Sequence, residues 1–389
     1  MSGAGELRPV FHLLTGEWPP AIGGVGDYSQ LLAEALIARG CRVHVWCPTV
    51  QDGCTAGVQI NRLPDHFGAA SRDILGRAFN AHPGIVLVQY VPNAMGLRGL
   101  NVPFCLWLLR LGRRGADIRV MFHEPFFYFE RFRLLRNGLA VAQRAMAAAL
   151  LRASTVVYVS TDTWRGCLSP YGARARQAIA LAIPSTVPVV SDAGATTRWR
   201  AAFTGDDSLA RVAGHFGTFG DHVAGELTSA VPALLNAHPY AVFACLGRGS
   251  DRFARHMCET HPTLAPRIRG TGALSRSELS AALSACDLLV QPYPDGVTTR
   301  RTSVMAGLSH GIPTVTTTGR LTEPLWAASG GVALAPASDA AAIARLTATL
   351  LTDDAARRAL AARGDALYGA SFSLERTVDA LLDGAARAA

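Results

Sequence analysis

Short apolar runs alternate with longer amphipathic stretches along the whole chain, and this alternation constrains the fold more than any other feature. Runs rich in β-branched residues predict strands, and stretches with apolar residues every three or four positions predict helices. Strands that alternate with helices form parallel sheets covered by helices, so the sequence predicts an α/β protein. With 389 residues the chain is too long for one ordinary core, and we expect two Rossmann-like, doubly wound domains.

The predicted elements fall into two sets separated by a proline-containing segment of small polar residues, 183–196. Strands are predicted at 10–14, 42–47, 85–90, 118–122 and 155–160, and then at 211–216, 240–246, 288–291 and 314–317. Helices are predicted at 28–39, 135–151, 222–235, 252–261 and 275–285. We therefore expect an N-terminal domain (1–190), a C-terminal domain (191–370) and a final helix (371–389). Two such domains facing each other across a cleft bring the carboxyl ends of their strands, where ligands bind, to that cleft.

Composition and charge narrow the classes of protein. About half of the residues, 49%, are apolar, which supports two cores and argues against disorder. The eight cysteines include no C-x-x-C pair, which indicates free thiols and neither a zinc site nor a disulfide frame. Residues 1–8 lack the apolar core of a signal peptide, and no apolar run approaches the roughly 20 residues of a membrane span. These features predict a soluble, cytoplasmic protein.

The net charge of +8 would attract an anionic substrate, a membrane surface or nucleic acid. Many of the arginines lie in Ala/Arg-rich helical stretches, so we attribute most of the charge to solvated helix faces. The chain has no basic patch interleaved with aromatic residues at the spacing of a recognition module, and we expect no nucleic-acid partner.

A glycine-rich loop follows the first predicted strand and leads into the first helix. Unbonded N–H groups at a helix start favour an anion, and glycines let the backbone come close to a ligand. We assign Gly23 and Gly24 to donor binding, and Gly26, Asp27 and Tyr28 to acceptor binding. A plain strand-to-helix turn remains the structural alternative.

His123 and Glu124 follow a predicted central strand, at the edge where open α/β sheets bind ligands. We assign His123 as a catalytic residue that hydrogen-bonds a sugar hydroxyl, and Glu124 to acceptor binding; a purely structural histidine is the alternative. The segment 126–136 is aromatic and basic. It lines the acceptor pocket, touches an anionic membrane surface, or packs onto its own domain, and we favour the last of these interpretations.

The loop after the predicted strand 288–291 carries the densest set of candidate residues. Two arginines and the N–H groups at the start of a helix predict a diphosphate site, because both stabilise a leaving diphosphate. Asp295 is placed to accept hydrogen bonds from donor-sugar hydroxyls. We assign Asp295 and Arg300 as catalytic, and the neighbours to donor binding: Gly296, Val297, Thr298, Thr299 and Arg301. A capped helix with solvated arginines is the alternative.

Taken in order, these motifs resemble the retaining glycosyltransferases of GT-B fold, the family 4-like or group 1 enzymes. The resemblance rests on the glycines at 23–26, His123, the runs 294–296, 305–307 and 310–313, the loop 318–326 and the segment from Ser371. It covers nearly the whole chain, and it implies that the domain 1–190 binds the acceptor, that the domain 191–370 binds the donor, and that the helix 371–389 packs back toward the first domain. It implies transfer of a sugar from a nucleotide-diphosphate sugar to an acceptor hydroxyl with retention, without metal or resident cofactor, and with the diphosphate assisting deprotonation of the acceptor. Glu323 corresponds to the acid of the family's glycine-rich loop and is assigned to donor binding.

The chain departs from the family at the donor motif. Of its two glutamates, the second falls at Ala306; the first falls at Thr298 if no gap is allowed, or is replaced by Asp295 if the loop is longer by three residues. The family's Arg and Lys after the first C-terminal strand are also missing, and only His215 and His222 are possible cations there. The resemblance therefore leaves the nucleotide and the sugar undefined.

Phosphate charge would then rest on Arg300, Arg301 and Arg248, the last just after the second C-terminal strand. The divergence leaves two alternatives to an active transferase: a scaffold or binding protein on a decayed transferase fold, and a sugar-nucleotide epimerase of the same fold. The acceptor, whether a sugar, a lipid-linked sugar or a small metabolite, stays open, as do the oligomeric state and a peripheral membrane contact.

Overall fold

The computed structural model describes residues 9–21, 23–55, 57–205 and 207–388. Two compact units share these residues: unit 1 runs to Ala182 and resumes at Leu374, and unit 2 is Ile183–Ser373. The boundary predicted near residue 190 lies inside unit 2. The reason is that the Ile183 N–H donates to the Thr299 carbonyl at 3.0 Å and Val187 is buried in the core of that unit. Residues 1–8, on which the localisation prediction partly depends, lie outside the described ranges.

Parallel strands form the sheet of unit 1. The strands of this sheet are β1 (Val10–Leu14), β2 (Arg42–Cys47), β3 (Gly53–Thr55), β4 (Val58–Arg62), β6 (Ile85–Tyr90), β7 (Ile118–Phe122), β8 (Val156–Val159) and β9 (Ile179–Ala180), and the short β5 (Pro64–Phe67) lies outside it. The strand order is β3-β4-β2-β1-β6-β7-β8-β9, and β3 is antiparallel to β4. All residues of β6 and β7 are buried, as expected for central strands covered on both faces.

Helices cover this sheet. They are α1 (Gly24–Ala38), α2 (Ala69–Ala81), α3 (Val102–Arg113), α4 (Leu134–Ala153), α5 (Asp162–Leu168) and α6 (Ala173–Arg176). The apolar faces of α2 to α6 pack with the sheet into a core that includes Phe67, Tyr90, Phe104 and Phe122. Helix α1 buries Tyr28, Leu32 and Leu36, which are not part of this cluster. Helix α1 begins four residues earlier than predicted, so two of the loop glycines lie in its first turn.

Unit 2 contains a second, wholly parallel sheet. Its strands are β10 (Arg211–Phe216), β11 (Ala241–Leu246), β12 (Ile268–Gly270), β13 (Leu288–Gln291), β14 (Thr314–Thr318) and β15 (Ala333–Pro336), in the order β12-β11-β10-β13-β14-β15. Its helices are α7 (Ala193–Thr204), α8 (Asp221–Ala237), α9 (Ser250–Thr260), α10 (Arg276–Ser284), α11 (Thr302–Ser309), α12 (Pro324–Ser329), α13 (Ala340–Thr352) and α14 (Asp354–Ser371). Helices on the two faces form separate apolar clusters with the sheet. The predicted class, α/β with two doubly wound sheets, is confirmed.

The last helix, α15 (Leu374–Ala388), lies in unit 1. Its Asp379 forms a 2.6 Å ion pair with Arg39, the residue after α1, and Arg119 of β7 donates to the Leu381 carbonyl at 2.7 Å. Arg119 is completely buried, and its guanidinium also pairs with Asp117 at 2.6 Å. The buried guanidinium therefore ties the helix to the centre of the sheet.

Two further predictions concern the whole chain. All eight cysteines are free thiols, and most of them are buried. In the part of the chain that the structure describes, we find no helix with both the length and the apolar character needed to cross a membrane.

Candidate active site

Two loops interlock at the carboxyl edge of the unit 2 sheet: the loop after β13 and the loop after β14. The Leu321 N–H donates to the Asp295 carbonyl at 2.8 Å. Gly296 has a φ of +88°, and a Cβ there would overlap the Thr322 hydroxyl. A Cβ at Gly319 would lie 2.6 Å from the Asp295 carbonyl carbon. Only glycine allows this close approach, so the positions of both loops are mutually determined.

Glu323 is buried and joins the same two loops. Its Oε2 accepts hydrogen bonds from the Thr299 N–H at 2.9 Å and from the Trp326 indole N–H at 2.9 Å, and its Oε1 accepts from the Thr299 hydroxyl at 2.6 Å. Predicted to bind the donor, Glu323 directs both carboxylate oxygens at protein groups in this structure. Its visible role is to position the backbone at Thr299.

Arg301 is held by a carboxylate and an aromatic ring. Its Nη2 lies 2.5 Å from Asp295 Oδ1, and its guanidinium lies 4.2 Å from the centre of the Tyr293 ring. The Tyr293 hydroxyl is 2.7 Å from Ser303 Oγ, and burial raises the pKa of this tyrosine. Asp295, predicted to meet a sugar hydroxyl, is thus paired with Arg301, and the two charges offset each other.

Helix α11 begins at Thr302, later than the prediction that residues 298–301 enter it. Backbone groups ahead of it have other partners: the Val297 N–H donates to the Thr317 carbonyl at 2.8 Å, and the Arg301 N–H donates to Thr298 in a turn. The sequence pattern shows a helix start but not these bonds across the sheet edge. Consequently the four residues form a turn that leads into the helix.

The predicted cations of unit 2 lie in two loops at the same sheet edge. Arg300 is half-buried beside Arg301 after β13, and Arg248 is exposed between β11 and α9. Strand β10 separates β11 from β13 in the sheet. The structure therefore puts all three arginines at the carboxyl edge, as predicted, but brings only Arg300 and Arg301 together.

His215 is not a cation, which corrects the prediction for that position. It is buried on β10, its Nδ1 lies 2.8 Å from the Val290 carbonyl, and burial lowers its pKa to about 4. The imidazole is therefore neutral at pH 7 and donates from Nδ1. His222 is exposed in the first turn of α8. Ala306, at one of the missing glutamate positions, is buried in an apolar cluster, where an unpaired carboxylate would be costly.

In unit 1, a side chain of the protein occupies the helix start that was predicted to bind an anion. Gly23 precedes α1, and Gly24 and Gly26 lie in its first turn. Glu17 Oε1 accepts from the N–H groups of Val25 at 3.0 Å and Gly26 at 3.1 Å, and a Cβ at Gly23 would overlap this carboxylate. Sequence reasoning missed Glu17, because nothing in the pattern shows that a residue ahead of the helix folds back onto it.

The structure brings His123 and Tyr28 together. His123 is buried at the end of β7, its Nε2 lies 2.7 Å from Gln89 Oε1, and the Tyr28 ring meets its ring edge-on at 5.4 Å. Only 1% of Tyr28 is exposed, so it supports the histidine and is too buried to reach an acceptor, contrary to its assignment. Asp27 is half-buried and Glu124 exposed. Gln89, which orients the histidine, was not predicted.

The aromatic segment 126–136 divides into two parts. Phe126 is buried under the Arg144 guanidinium, and the Phe127 N–H donates to Gln143 at 2.9 Å. From Phe129 onward the large apolar side chains are exposed. The interpretation that the segment packs onto its own domain is correct for residues 126–129, since the Tyr128 hydroxyl lies 3.7 Å from Cys167 Sγ and the Arg144 guanidinium lies 4.0 Å from the Phe129 ring centre. It is wrong for Phe132, which is 86% exposed.

A groove of about 440 Å³ in unit 2 lies away from these residues. Arg200 and Asp287 line it, and they sit at the amino ends of β10 and β13. Ligands of open α/β sheets bind at the opposite edge, so we do not assign the groove to the site. Across the described ranges, no three His, Cys, Asp or Glu side chains are grouped so as to hold a metal ion.

Comparison with known proteins agrees with this geometry. Residues 211–353 match the family described as "Glycosyl transferases group 1". No curated protein sequence gives a significant match. Among solved structures, sucrose-phosphate synthase from Thermosynechococcus elongatus aligns with a TM-score of 0.70 at 17% identity, over 97% of this chain and 98% of that one.

Two other similar structures contain nucleotides. Anabaena HepE in complex with UDP and glucose has a TM-score of 0.71 at 13% identity, over 98% of this chain and 100% of that one. The catalytic domain of starch synthase IV from Arabidopsis thaliana, bound to ADP and acarbose, has a TM-score of 0.67 at 13% identity, over 98% and 99% of the chains. The neighbours confirm the fold, GT-B, and the family match confirms the predicted class of enzyme, a glycosyltransferase.

Proposed function

We propose that this protein transfers a sugar from a nucleoside-diphosphate sugar to an acceptor hydroxyl, and that the donor diphosphate binds at the carboxyl edge of the unit 2 sheet. The observation that carries the proposal is the interlocked loop 295–301, which presents Arg300 and Arg301 directly before the N-terminus of α11. Guanidinium groups and helix N–H groups stabilise a leaving diphosphate more strongly than the intact donor.

Donor binding requires Arg301 to change partner. In this structure its guanidinium pairs with Asp295 at 2.5 Å. In the proposed complex it turns from Asp295 to a phosphate oxygen, a partner that suits its planar, bidentate geometry. The released Asp295 carboxylate then accepts hydrogen bonds from the sugar. Glu323 keeps the Thr299 backbone in place throughout, because the hydrogen bonds that it accepts from Thr299 and Trp326 do not involve the exchanging pair.

Three finer features belong to the same proposal. Transfer proceeds with retention, the departing diphosphate helps to deprotonate the acceptor, and arginines in place of a metal ion offset the phosphate charge. The nucleotides named with the similar structures, UDP and ADP, are the first to test. On unit 1, the buried His123 and the exposed Glu124 are the acceptor-side groups.

A thermal-shift experiment tests donor binding. A nucleoside diphosphate at about 100 times its Kd stabilises the folded state by about 2.7 kcal/mol, which for a unit of this size raises Tm by about 5 to 10 °C. UDP, ADP, GDP and dTDP are screened, and Arg300→Ala should abolish the shift. Arg345→Ala, an exposed arginine on α13, is the matched control and should retain it. No shift with any of these nucleotides or their sugars refutes the proposal.

The buried, apolar environment of Ala306 favours one alternative, a binding protein on a decayed transferase fold. Mass spectrometry of the donor after incubation separates the functions. Transferred or hydrolysed sugar excludes a mere binding protein, whereas a converted donor of unchanged mass indicates an epimerase.

A further inference from the structure

A set of large apolar side chains is exposed on unit 1, where the loop after β7 meets the first turns of α4. We call it the Phe132 surface: Phe129, Phe132, Leu134, Leu135 and Val141. Phe132 is 86% exposed, Leu134 84% and Leu135 93%. Single exposed apolar residues are common in proteins, but large ones grouped in one short stretch mark an interaction surface.

Helix α4 has two apolar faces. Its inner face, which includes Ala140, Met146 and Leu150, is buried in the core of unit 1. On its outer face Leu134, Gly138, Val141 and Ala145 are exposed, and their spacing of four, three and four residues puts them in one line. These four residues therefore carry no charge, and no described part of the unit covers them.

The backbone around this surface adopts conformations that disfavour ordinary side chains. Phe132 has a φ of +64°, a left-handed backbone conformation that bulky side chains rarely adopt. Strained residues that direct apolar side chains into water are typical of segments maintained for a partner.

The charges around the surface are mainly positive. Arg131, Arg133 and Arg136 are exposed within it, and the Arg131 guanidinium lies 4.8 Å from the Phe132 ring centre. One acid, Glu130, pairs with both Arg133 at 3.4 Å and Arg136 at 2.9 Å, which leaves an excess of positive charge. An apolar patch rimmed by arginines is complementary to an anionic lipid surface, where apolar groups enter the headgroup layer and guanidinium groups contact phosphates.

We propose that the Phe132 surface docks this protein onto an anionic lipid bilayer. This inference goes beyond the proposed function, since it concerns where the enzyme works and not which bond it makes. A second copy of the chain fits the surface less well, because a symmetric contact would bring the arginines of both copies together.

Co-sedimentation with lipid vesicles tests the proposal. The full chain should bind vesicles of phosphatidylcholine mixed with phosphatidylglycerol, and should not bind phosphatidylcholine alone. The triple variant Phe132→Ser/Leu134→Ser/Leu135→Ser should bind the anionic vesicles about 100-fold more weakly, the loss expected when three apolar side chains no longer enter the interface. The matched control, Leu209→Ser/Tyr240→Ser, removes exposed apolar side chains of unit 2 and should bind like the native chain.

A charge variant separates the electrostatic contribution. Arg131→Gln/Arg133→Gln should weaken binding roughly 30-fold, and added salt should weaken the native chain in the same direction. Because every substituted position is exposed, circular dichroism and the donor-induced Tm shift should stay unchanged, so a binding defect cannot be mistaken for unfolding.

Three results would overturn the proposal. The first is equal binding to neutral and anionic vesicles, and the second is full binding by the triple variant. The third is a native dimer in sedimentation that the triple variant converts to a monomer, which would assign the surface to a contact between copies.

Discussion

The hydrogen bonds of Glu323 allow a sharp prediction about two substitutions at one position. Its Oε2 accepts two N–H donors, from Thr299 and Trp326, and its Oε1 accepts a hydroxyl, which can also act as an acceptor. In Glu323→Gln the amide oxygen can take the Oε2 position, and the amide NH₂ can donate to the Thr299 hydroxyl. The glutamine variant therefore keeps all three contacts, whereas Glu323→Ala loses them.

The magnitudes follow from this count. In Glu323→Ala the hydroxyl can turn to another acceptor, but two buried N–H donors lose their partner, at about 1–3 kcal/mol each. The expected loss of unfolding free energy is about 4 kcal/mol. In Glu323→Gln only the charge-assisted part of the hydrogen bonds is lost, and we expect about 1 kcal/mol.

Scanning calorimetry can follow the transition of unit 2. With about 2 to 4 °C per kcal/mol for a unit of this size, the alanine variant should lower Tm by about 8 to 16 °C and the glutamine variant by about 2 to 4 °C. In the double variant Glu323→Gln/Thr299→Val, the amide NH₂ has no hydroxyl to donate to. Its Tm should therefore be lower than that of Glu323→Gln. Equal losses for glutamine and alanine would refute the reasoning, because the carboxylate charge and not the hydrogen-bond geometry would then dominate.

Three further predictions concern single residues. The pKa of His215 is held at about 4 in the folded state against 6.5 in the unfolded chain, so protons bind the unfolded chain first. The free energy of unfolding is therefore unaffected by this histidine above pH 6.5, and it falls by about 1.4 kcal/mol per pH unit as the pH is lowered toward 4. In His215→Gln this part of the pH dependence of urea unfolding, which corresponds to one proton, should be absent. Arg119→Ala should cost about 3–5 kcal/mol in urea unfolding, because Asp117 and the Leu381 carbonyl lose their partner. Arg119→Met loses the same partner but fills the space that alanine leaves empty, so it should cost less than Arg119→Ala. Gly296→Ala, at a φ of +88° against the neighbouring loop, should lower Tm and remove the nucleotide-induced shift while Gly115→Ala, with open space around it, leaves the shift unchanged.

The regular part of the fold could be predicted from sequence because its strands are central. Strands β1, β2, β6, β7, β10 and β13 have the predicted bounds, since strands covered on both faces appear as continuous apolar runs. The edge strands β3, β9, β12 and β15 were missed, as was β4 next to the edge. They are short and partly exposed, as in Val58–Arg62, where buried and exposed residues mix, so their pattern differs little from that of a loop.

The sequence allowed the candidate site to be located, but not the hydrogen-bond partners of its residues to be identified. The pattern places Asp295, Arg301 and Glu323 at the ends of strands, and the structure has them there. It does not show which neighbour satisfies each group, because such partners come from other loops: Glu323 for Thr299, and Glu17 for the start of α1. His215 illustrates the same limit, since its neutrality depends on burial that only the folded sheet provides.

The placement of α15 in unit 1 has a consequence for biosynthesis. About 190 residues of unit 2 are translated between Ala182 and Leu374, the two points where unit 1 breaks off and resumes. At roughly 5–20 residues per second, the ribosome takes on the order of 10 to 40 s over that interval. During this delay the buried guanidinium of Arg119 lacks the Leu381 carbonyl, so the nascent first unit stays incomplete while the second can already fold. A chaperone that binds the nascent chain would therefore meet a protein in which unit 1 is begun first and completes its folding last.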